Sequence, residues 1–548
     1  MRVLLFWVCV LFTSIGFSQQ IDTTVVSAAQ RIIGLEFTKA EKDSMVDKLK
    51  NSQSNYQRMR AVPIPNSLVY PFAFNPAPIG YSVPKNQQKI NWNLPTGVSV
   101  PKNKEALAYY SVAELASLIK SRKITSVELT EFFLGRLKKW GDTLECVITR
   151  TDSIAMAQAK QADAEIKAGK YRGPLHGIPY GLKDLFAVKG YKTTWGSVPY
   201  KDQYIDENAF VYEQLTKAGA VLCAKLTLGE LAFADLWFGG RTRNPWNLKT
   251  GSSGSSAGSA SSVVAGLLPF AIGTETLGSI VSPSHTCGAT GLRPSFGTVS
   301  RSGAMVLSWS LDKVGPICRS AEDAAIVYYY IKGTDGKDPS AIEHAFNYTG
   351  QADPKKLRIG IAMNYFKNLP KNAPQWAVLD SLKAMGYQLQ EVIFPDSSIY
   401  RFNMVDPILN AESAAAFDEL TRSNQDDLIR RQDKNFWPNS FRAGRFVPAV
   451  EYINANRHRS TLIQELNAFM KSYDVIITPT YGGSQLAMTN LTGLPVVCLP
   501  VGFNATNGLP TSITFIGQLY HEEHILALAK AFQSRTAFHK KRPELFLQ

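Results

Sequence analysis

The chain has 548 residues, 45% of them hydrophobic and 19% charged, and a formal net charge of +14. That length allows a large core, and several domains on length alone. The basic residues are dispersed and no run resembles a nucleic-acid-binding arm, which argues against nucleic acid as a partner and leaves the charge to solubility or a general affinity for anionic envelope polymers.

Residues 1–18 read as a secretory signal peptide: Arg2 is the positive n-region, VLLFWVCVLF the apolar h-region, and Gly16, Phe17 and Ser18 offer small residues at the cleavage positions. The apolar run is short for a membrane span. The mature chain is therefore expected to be secreted or periplasmic, with no stable membrane insertion; an uncleaved anchor is the alternative. Five cysteines follow, Cys146, Cys223, Cys287, Cys318 and Cys498. They form no disulfide scaffold, and most sit in apolar segments and read as buried thiols, with one disulfide left open.

Residues 19–104 read as an accessory segment. A helix is predicted from residue 39 to about residue 60, opened by the capping box Thr38-Lys39-Ala40-Glu41. Residues 63–101, rich in Pro, Asn and aromatics, read as ordered coil that wraps the main body or forms a lip of a substrate cleft.

The main domain spans 105–548. Two further capping boxes, Ser111 to Glu114 and Thr125 to Glu128, open consecutive helices, the second running to about residue 140. An alanine-rich helix is predicted over about 153–168. Then GIPYGLKDLFAV, ENAFVYEQLTKAG and AVLCAKLTLGEL alternate strand and helix, the pattern of an α/β fold with a largely parallel sheet. Farther on, a helix at 320–331 precedes a strand–helix–strand unit at 356–364, 373–385 and 387–394, read as part of an inserted lobe around 355–472 beside the main sheet. Helical segments at about 410–431 and 450–472 complete it. The chain returns to sheet at YDVIITPT and ends in a helix at 522–538.

Other constellations are weak. His521-Glu522-Glu523-His524 is not HExxH, because its histidines are three apart and not four; it is expected to open an exposed helix, and no metal is assigned. His176 and His285 lie near the stretch described next, and His285 reads either as a cavity lining or as a satisfied core histidine. No G-K-[ST] follows the Gly/Ser loop, and GxGxxG is missing at any strand-to-helix junction, so no cofactor is expected.

The chain is organised around residues 251–294. Of the twelve residues 251–262, seven are Ser and three are Gly, and no charged residue stands between Lys249 and Glu275. Such composition alone describes a flexible linker. Here, however, it runs straight into VVAGLLPFAIG, a segment buried as helix or strand, so the small residues point to close backbone approach beside a packed element.

The motifs Gly254-Ser255-Ser256, Gly273-Thr274-Glu275-Thr276-Leu277-Gly278-Ser279-Ile280 and Cys287-Gly288-Ala289-Thr290-Gly291-Leu292-Arg293-Pro294 resemble, in order, those of the amidase signature family. PLHGIPYGLKD, ending Lys183-Asp184, resembles its lysine segment, and YDVIITPT with LTGLPVVCLPVGF its C-terminal strands. Two departures stand out: the family often has Gly where Leu277 stands, and Arg where Val281 stands. The resemblance implies one large mixed, mostly parallel β-sheet covered by helices on both faces. It also implies an amidase, exported by the reading of residues 1–18, that hydrolyses a small-molecule or peptide amide through a serine acyl-enzyme, without metal or cofactor. The alternatives are a non-catalytic envelope-binding protein and a glutaminase-type amidotransferase subunit.

By that resemblance Ser279 is the nucleophile, Ser255 the bridging serine behind a cis peptide, and Lys183 the base, with backbone N–H groups of Thr276, Leu277, Gly278 and Ser279 as the oxyanion hole. The chemistry is coherent. Serine needs a base, lysine is a base only when neutral, and burial away from carboxylates favours the neutral amine. Asp184 follows Lys183 directly; in a strand it points to the opposite face and is expected to be structural.

Overall fold

The computed structural model describes residues 21–62, 65–68, 72–353 and 355–548. The expected signal peptide lies outside them. No helix among the described residues is long and apolar enough to cross a membrane.

Two compact units divide between Pro65 and Asn66. The first holds α1 (Thr23–Ile33) and α2 (Lys39–Arg60). The capping box that starts α2 is formed: Glu41 Oε2 accepts the Thr38 N–H at 2.7 Å, and Thr38 Oγ1 accepts the Glu41 N–H at 3.3 Å. Lys42 Nζ donates to Ser27 Oγ at 3.0 Å and ties the two helices together.

The segment expected as one accessory piece over 19–104 is thus split, and from Asn66 onward it belongs to the larger unit. Its coil is fastened there by hydrogen bonds. Asn66 Nδ2 donates to the carbonyls of Val306 and Ala416, and the Tyr81 hydroxyl donates to Leu519 O at 2.6 Å.

In the larger unit, the boxes at Ser111 and Thr125 open α3 (Val112–Lys120) and α4 (Ser126–Leu144) as the sequence predicts. Eleven strands form one sheet: β1 (Val147–Arg150), β2 (Pro179–Lys183), β3 (Val221–Leu226), β4 (Phe270–Glu275), β5 (Thr290–Arg293), β6 (Lys313–Cys318), β7 (Ile359–Ala362), β8 (Leu389–Val392), β9 (Val475–Pro479), β10 (Val496–Phe503) and β11 (Pro510–Gly517). Their order is β1-β3-β2-β4-β6-β5-β10-β11-β9-β7-β8. Pairings β3–β2, β2–β4, β9–β7 and β7–β8 are parallel; the other six are antiparallel. The sheet is therefore mixed, and the expectation of mostly parallel pairing holds only toward its two flanks. A strand–helix–strand alternation specifies parallel pairing locally, whereas the middle of the sheet is closed by strands distant in sequence.

The unit at 356–394 does not form a lobe of its own: β7 and β8 extend the sheet beyond β9. The long helix expected at 410–431 is three short pieces, Val405–Ala416, Asp418–Arg422 and Gln425–Leu428, interrupted where Asn424 takes φ +56°.

Alternation along the strands fills two separate buried clusters. Val475 and Ile477 of β9 join one, with Ile525, Leu528 and Phe532 of α8 (Glu522–Arg535). Ile476 joins the other, with Leu462 and Leu466 of α7 (Ala449–Met470). Helices thus cover both faces. Fully burying each such side chain contributes about 1.5–3 kcal/mol. The five cysteines among the described residues are all buried and free.

Candidate active site

The Gly/Ser stretch is a short loop running into a buried helix, not a linker. Every residue of α5 (Ala257–Val264) is buried. Its small side chains let it lie against backbone: a Cβ on Gly258 would stand 2.4 Å from Cys146 O. Its hydroxyls find carbonyl acceptors, Ser259 on Ile272 O at 3.0 Å and Ser261 on Arg243 O at 2.8 Å, as buried polar groups must.

The loop before α5 carries Ser255. The Gly254–Ser255 peptide is cis. Only glycine fits before it, because a Cβ on Gly254 would fall 1.8 Å from Ala234 O. Lys183 ends β2, whose neighbour β4 runs parallel and brings Thr274 alongside. Lys183 Nζ stands 2.8 Å from Ser255 Oγ, 2.8 Å from Thr274 Oγ1 and 3.1 Å from Ser256 Oγ. The lysine is fully buried, and among the described residues it forms no ion pair. Burial pushes its pKa down to about 7, against the weaker upward pull of Asp312 and Glu275. A neutral amine has two N–H groups and one lone pair. It can donate to Thr274 and Ser256 while it accepts from Ser255.

Asp184 does not disturb this arrangement. It pairs with Lys225 at 2.7 Å and accepts the Thr194 N–H at 2.8 Å, all buried. This is the structural role that strand geometry predicts.

Ser279 sits in the turn between β4 and α6 (Val281–Cys287) and is 8% exposed. Its carbonyl accepts the Ser256 N–H at 3.1 Å, which ties the turn to the Ser255 loop. Among the described residues its hydroxyl has no protein partner, so the contact from Ser255 to Ser279 is not closed in this state. Gly278 takes φ +94°, a conformation that favours glycine.

Glu275 fixes the turn. Its Oε2 accepts the N–H groups of Ile280 at 2.8 Å and Val281 at 2.9 Å, and its Oε1 meets Arg293 at 2.7 Å and Asn490 Nδ2 at 2.9 Å. Burial would raise this carboxyl, but Arg293, the Val281 N–H and Lys313 outweigh it and hold the pKa at about 2. The consequence is specific. The N–H groups of Ile280 and Val281 are used, whereas among the described residues those of Thr276, Leu277, Gly278 and Ser279 donate to no protein acceptor. Four successive unpaired donors beside a serine are suited to an oxyanion. Glu275, Thr274 and Ser256 are site residues that motif reading did not single out. The signal for Glu275 was its position as the first charge after a long uncharged stretch.

A cavity of about 210 Å³ reaches the site at Thr274 and Thr276. Leu185, Met305 and Val314 supply apolar walls, and Leu68 and Phe72 of the N-terminal coil form part of its rim. Arg301, also on the cavity, is neutralised by a two-pronged contact with Asp338 at 2.7 and 2.9 Å. Thr276 Oγ1 donates to Asp312 Oδ1 at 2.6 Å and links the turn to the cavity wall. Leu277 is 36% exposed beside the turn.

The histidines lie elsewhere. His285 Nδ1 contacts Ser512 Oγ at 2.6 Å and lines a separate cavity of about 320 Å³ with Tyr365 and Thr480. His176 is buried; its Nδ1 accepts the Arg172 N–H at 3.1 Å, and its Nε2 lies 3.4 Å from Glu165 Oε2.

A family described as Amidase matches residues 128–487. The chain is 32% identical over 479 residues to a component of the glutamyl-tRNA(Gln) amidotransferase of Methylococcus capsulatus, covering 79% of this chain and 98% of that protein. The solved native peptide amidase of Stenotrophomonas maltophilia is 28% identical, with a TM-score of 0.70 over 80% of this chain and 99% of its own. A bacterial aryl acylamidase of the amidase signature family shares the fold, with a TM-score of 0.68 at 21% identity over 79% of this chain and 97% of its own.

Proposed function

Because the chain belongs to the amidase signature family, whose members act on amide C–N bonds, we propose that it hydrolyses a carboxamide through an acyl-enzyme on Ser279. Ser279 Oγ attacks the carbonyl carbon while its proton moves to Ser255 Oγ and the Ser255 proton moves to neutral Lys183 Nζ. The free N–H groups of Thr276 to Ser279 receive the developing oxyanion; one such donor is typically worth about 100- to 1000-fold in rate. The C–N bond breaks as Ser255 protonates the leaving nitrogen and recovers a proton from Lys183. Water then attacks the ester by the same relay, releasing the carboxylic acid and restoring Ser279. The observation that carries this reading is the fully buried Lys183 amine, without a carboxylate partner, 2.8 Å from Ser255 Oγ. The signal-like residues 1–18 support placing this activity outside the cytoplasm.

A second reading is that the chain is a glutaminase-type amidotransferase subunit, whose ammonia passes to an acceptor on a partner. The curated relatives favour it, since amidotransferase components align over nearly their whole length. The peptide amidase structure supports the first reading. The two share the acyl-enzyme and differ in substrate and in the fate of nitrogen. Purified chain, given a panel of peptide, aryl and aliphatic amides beside glutamine, separates them. Turnover of panel amides by the chain alone is the result the hydrolase reading requires. Turnover confined to glutamine would replace it with the second.

A further inference from the structure

We propose that His521, Glu523 and His524, at the start of α8, form a binding site for a divalent first-row transition ion of the zinc class, separate from the serine chemistry. Each of the three offers a ligating atom, and these atoms lie within 4.8 Å of one another. Among the described residues no other group of three His, Cys, Asp or Glu does so. The motif spacing argues against a metalloprotease pair, but it does not measure what the fold brings together. His521 stands at the N-cap position without a side-chain capping bond, and the first turn brings Glu523 and His524 beside it. The two imidazoles stack at 5.3 Å between centroids with planes only 4° apart, and His521 Nδ1 is 2.9 Å from Glu523 Oε1.

Ligands at about 2.0–2.2 Å from a tetrahedral ion lie roughly 3.3 Å apart, so a modest rotation of these side chains closes the set. Two donors are ready for it. His524 Nδ1 and Glu523 Oε2 are buried, and no hydrogen-bond partner satisfies either. Such atoms are costly to leave unpaired, and an ion would satisfy both.

The electrostatics also favour a cation. A helix N-terminus presents only about half a positive charge. Against it stand the Glu523 carboxylate and the field of Asp474, which acts on both imidazoles although Arg358 partly offsets it at 2.7 Å. Imidazole and carboxylate together suit zinc, nickel or cobalt better than magnesium or calcium. Partial exposure, 29% at His521 and 17% at Glu523, leaves an entry path. An ion here would fix the first turn of α8, whose Ile525 and Leu528 pack into the core.

The test uses the full chain, stripped with a chelator, dialysed and titrated with zinc chloride by calorimetry, with melting temperature as a second readout. The expected result is one ion per chain and a higher melting temperature. Glu523→Gln and His524→Asn, each shown to be folded by circular dichroism, should weaken binding by about tenfold or more. His458→Asn should not. Wild-type chain that takes no zinc up to about 1 mM overturns the proposal without any variant. Binding that survives both substitutions in folded protein overturns it equally.

Discussion

Glu275 and Arg293 meet at 2.7 Å with neither side chain exposed to solvent, and the same carboxylate holds the two N–H groups that follow Ser279 and Ile280 in the turn. This pair converts a polar loop into a fixed one. Truncating one partner leaves the other charge buried and uncompensated, at a cost of about 3–5 kcal/mol. Glu275→Gln is therefore expected to lower the melting temperature strongly and, in whatever protein folds, to reduce kcat more than it raises KM. Denaturant unfolding and steady-state kinetics check both effects.

The pH dependence of stability follows with a definite sign. The Glu275 pKa is about 2 in the folded chain against an ordinary 4.5. Its contribution is therefore present above about pH 4.5 and is lost as pH falls toward 2, because the unfolded chain binds the proton first. Comparing wild type with Glu275→Gln across that window should show the stability difference shrinking as pH drops. A difference that stays constant to pH 3 would contradict it.

Lys183 acts in the opposite range. Its pKa is about 7 in the folded chain, so the neutral base predominates above pH 7. The kcat/KM of wild type is expected to fall about tenfold per pH unit below that point. Lys183→Ala should remove most activity and abolish this limb. A profile flat down to about pH 5 would eliminate the lysine base.

What was legible in the sequence was local pattern. Capping boxes marked the starts of α2, α3 and α4, and the short motifs around Lys183, Ser255 and Ser279 resembled those of the amidase signature family. What escaped were relationships between distant segments. Nothing near Glu275 announces that Arg293 and Asn490 will satisfy one of its oxygens. The strand-and-helix alternation foretold the parallel flanks, whereas the antiparallel middle is set by long-range pairings such as β5 with β10. The membership of β7 and β8 in the main sheet was hidden likewise, since a strand's own residues do not state which edge it joins.

Leu277 offers a probe of specificity. It is 36% exposed in the turn between β4 and α6, and its backbone N–H does not depend on its side chain. Leu277→Gly should change stability by less than about 1 kcal/mol. It should alter KM across amides of different bulk more than kcat. Equal loss of kcat for every substrate would show that the side chain instead holds the turn's geometry.

Gly278 tests that geometry from the other side. At φ +94° an added Cβ is strained and would meet Ser282 Oγ at 3.0 Å. Gly278→Ala is expected to cost about 1–3 kcal/mol. It should also cut kcat well below that of Leu277→Gly, measured under the same conditions.

The most direct measurement is labelling of the purified chain with a fluorophosphonate, read by intact mass and peptide mapping. The expected result is a single adduct on Ser279, absent in Ser279→Ala and much slower in Lys183→Ala. An adduct on Ser255 or Ser256 instead, or labelling of Ser279 at the same rate without Lys183, would contradict the account of a lysine-activated Ser279.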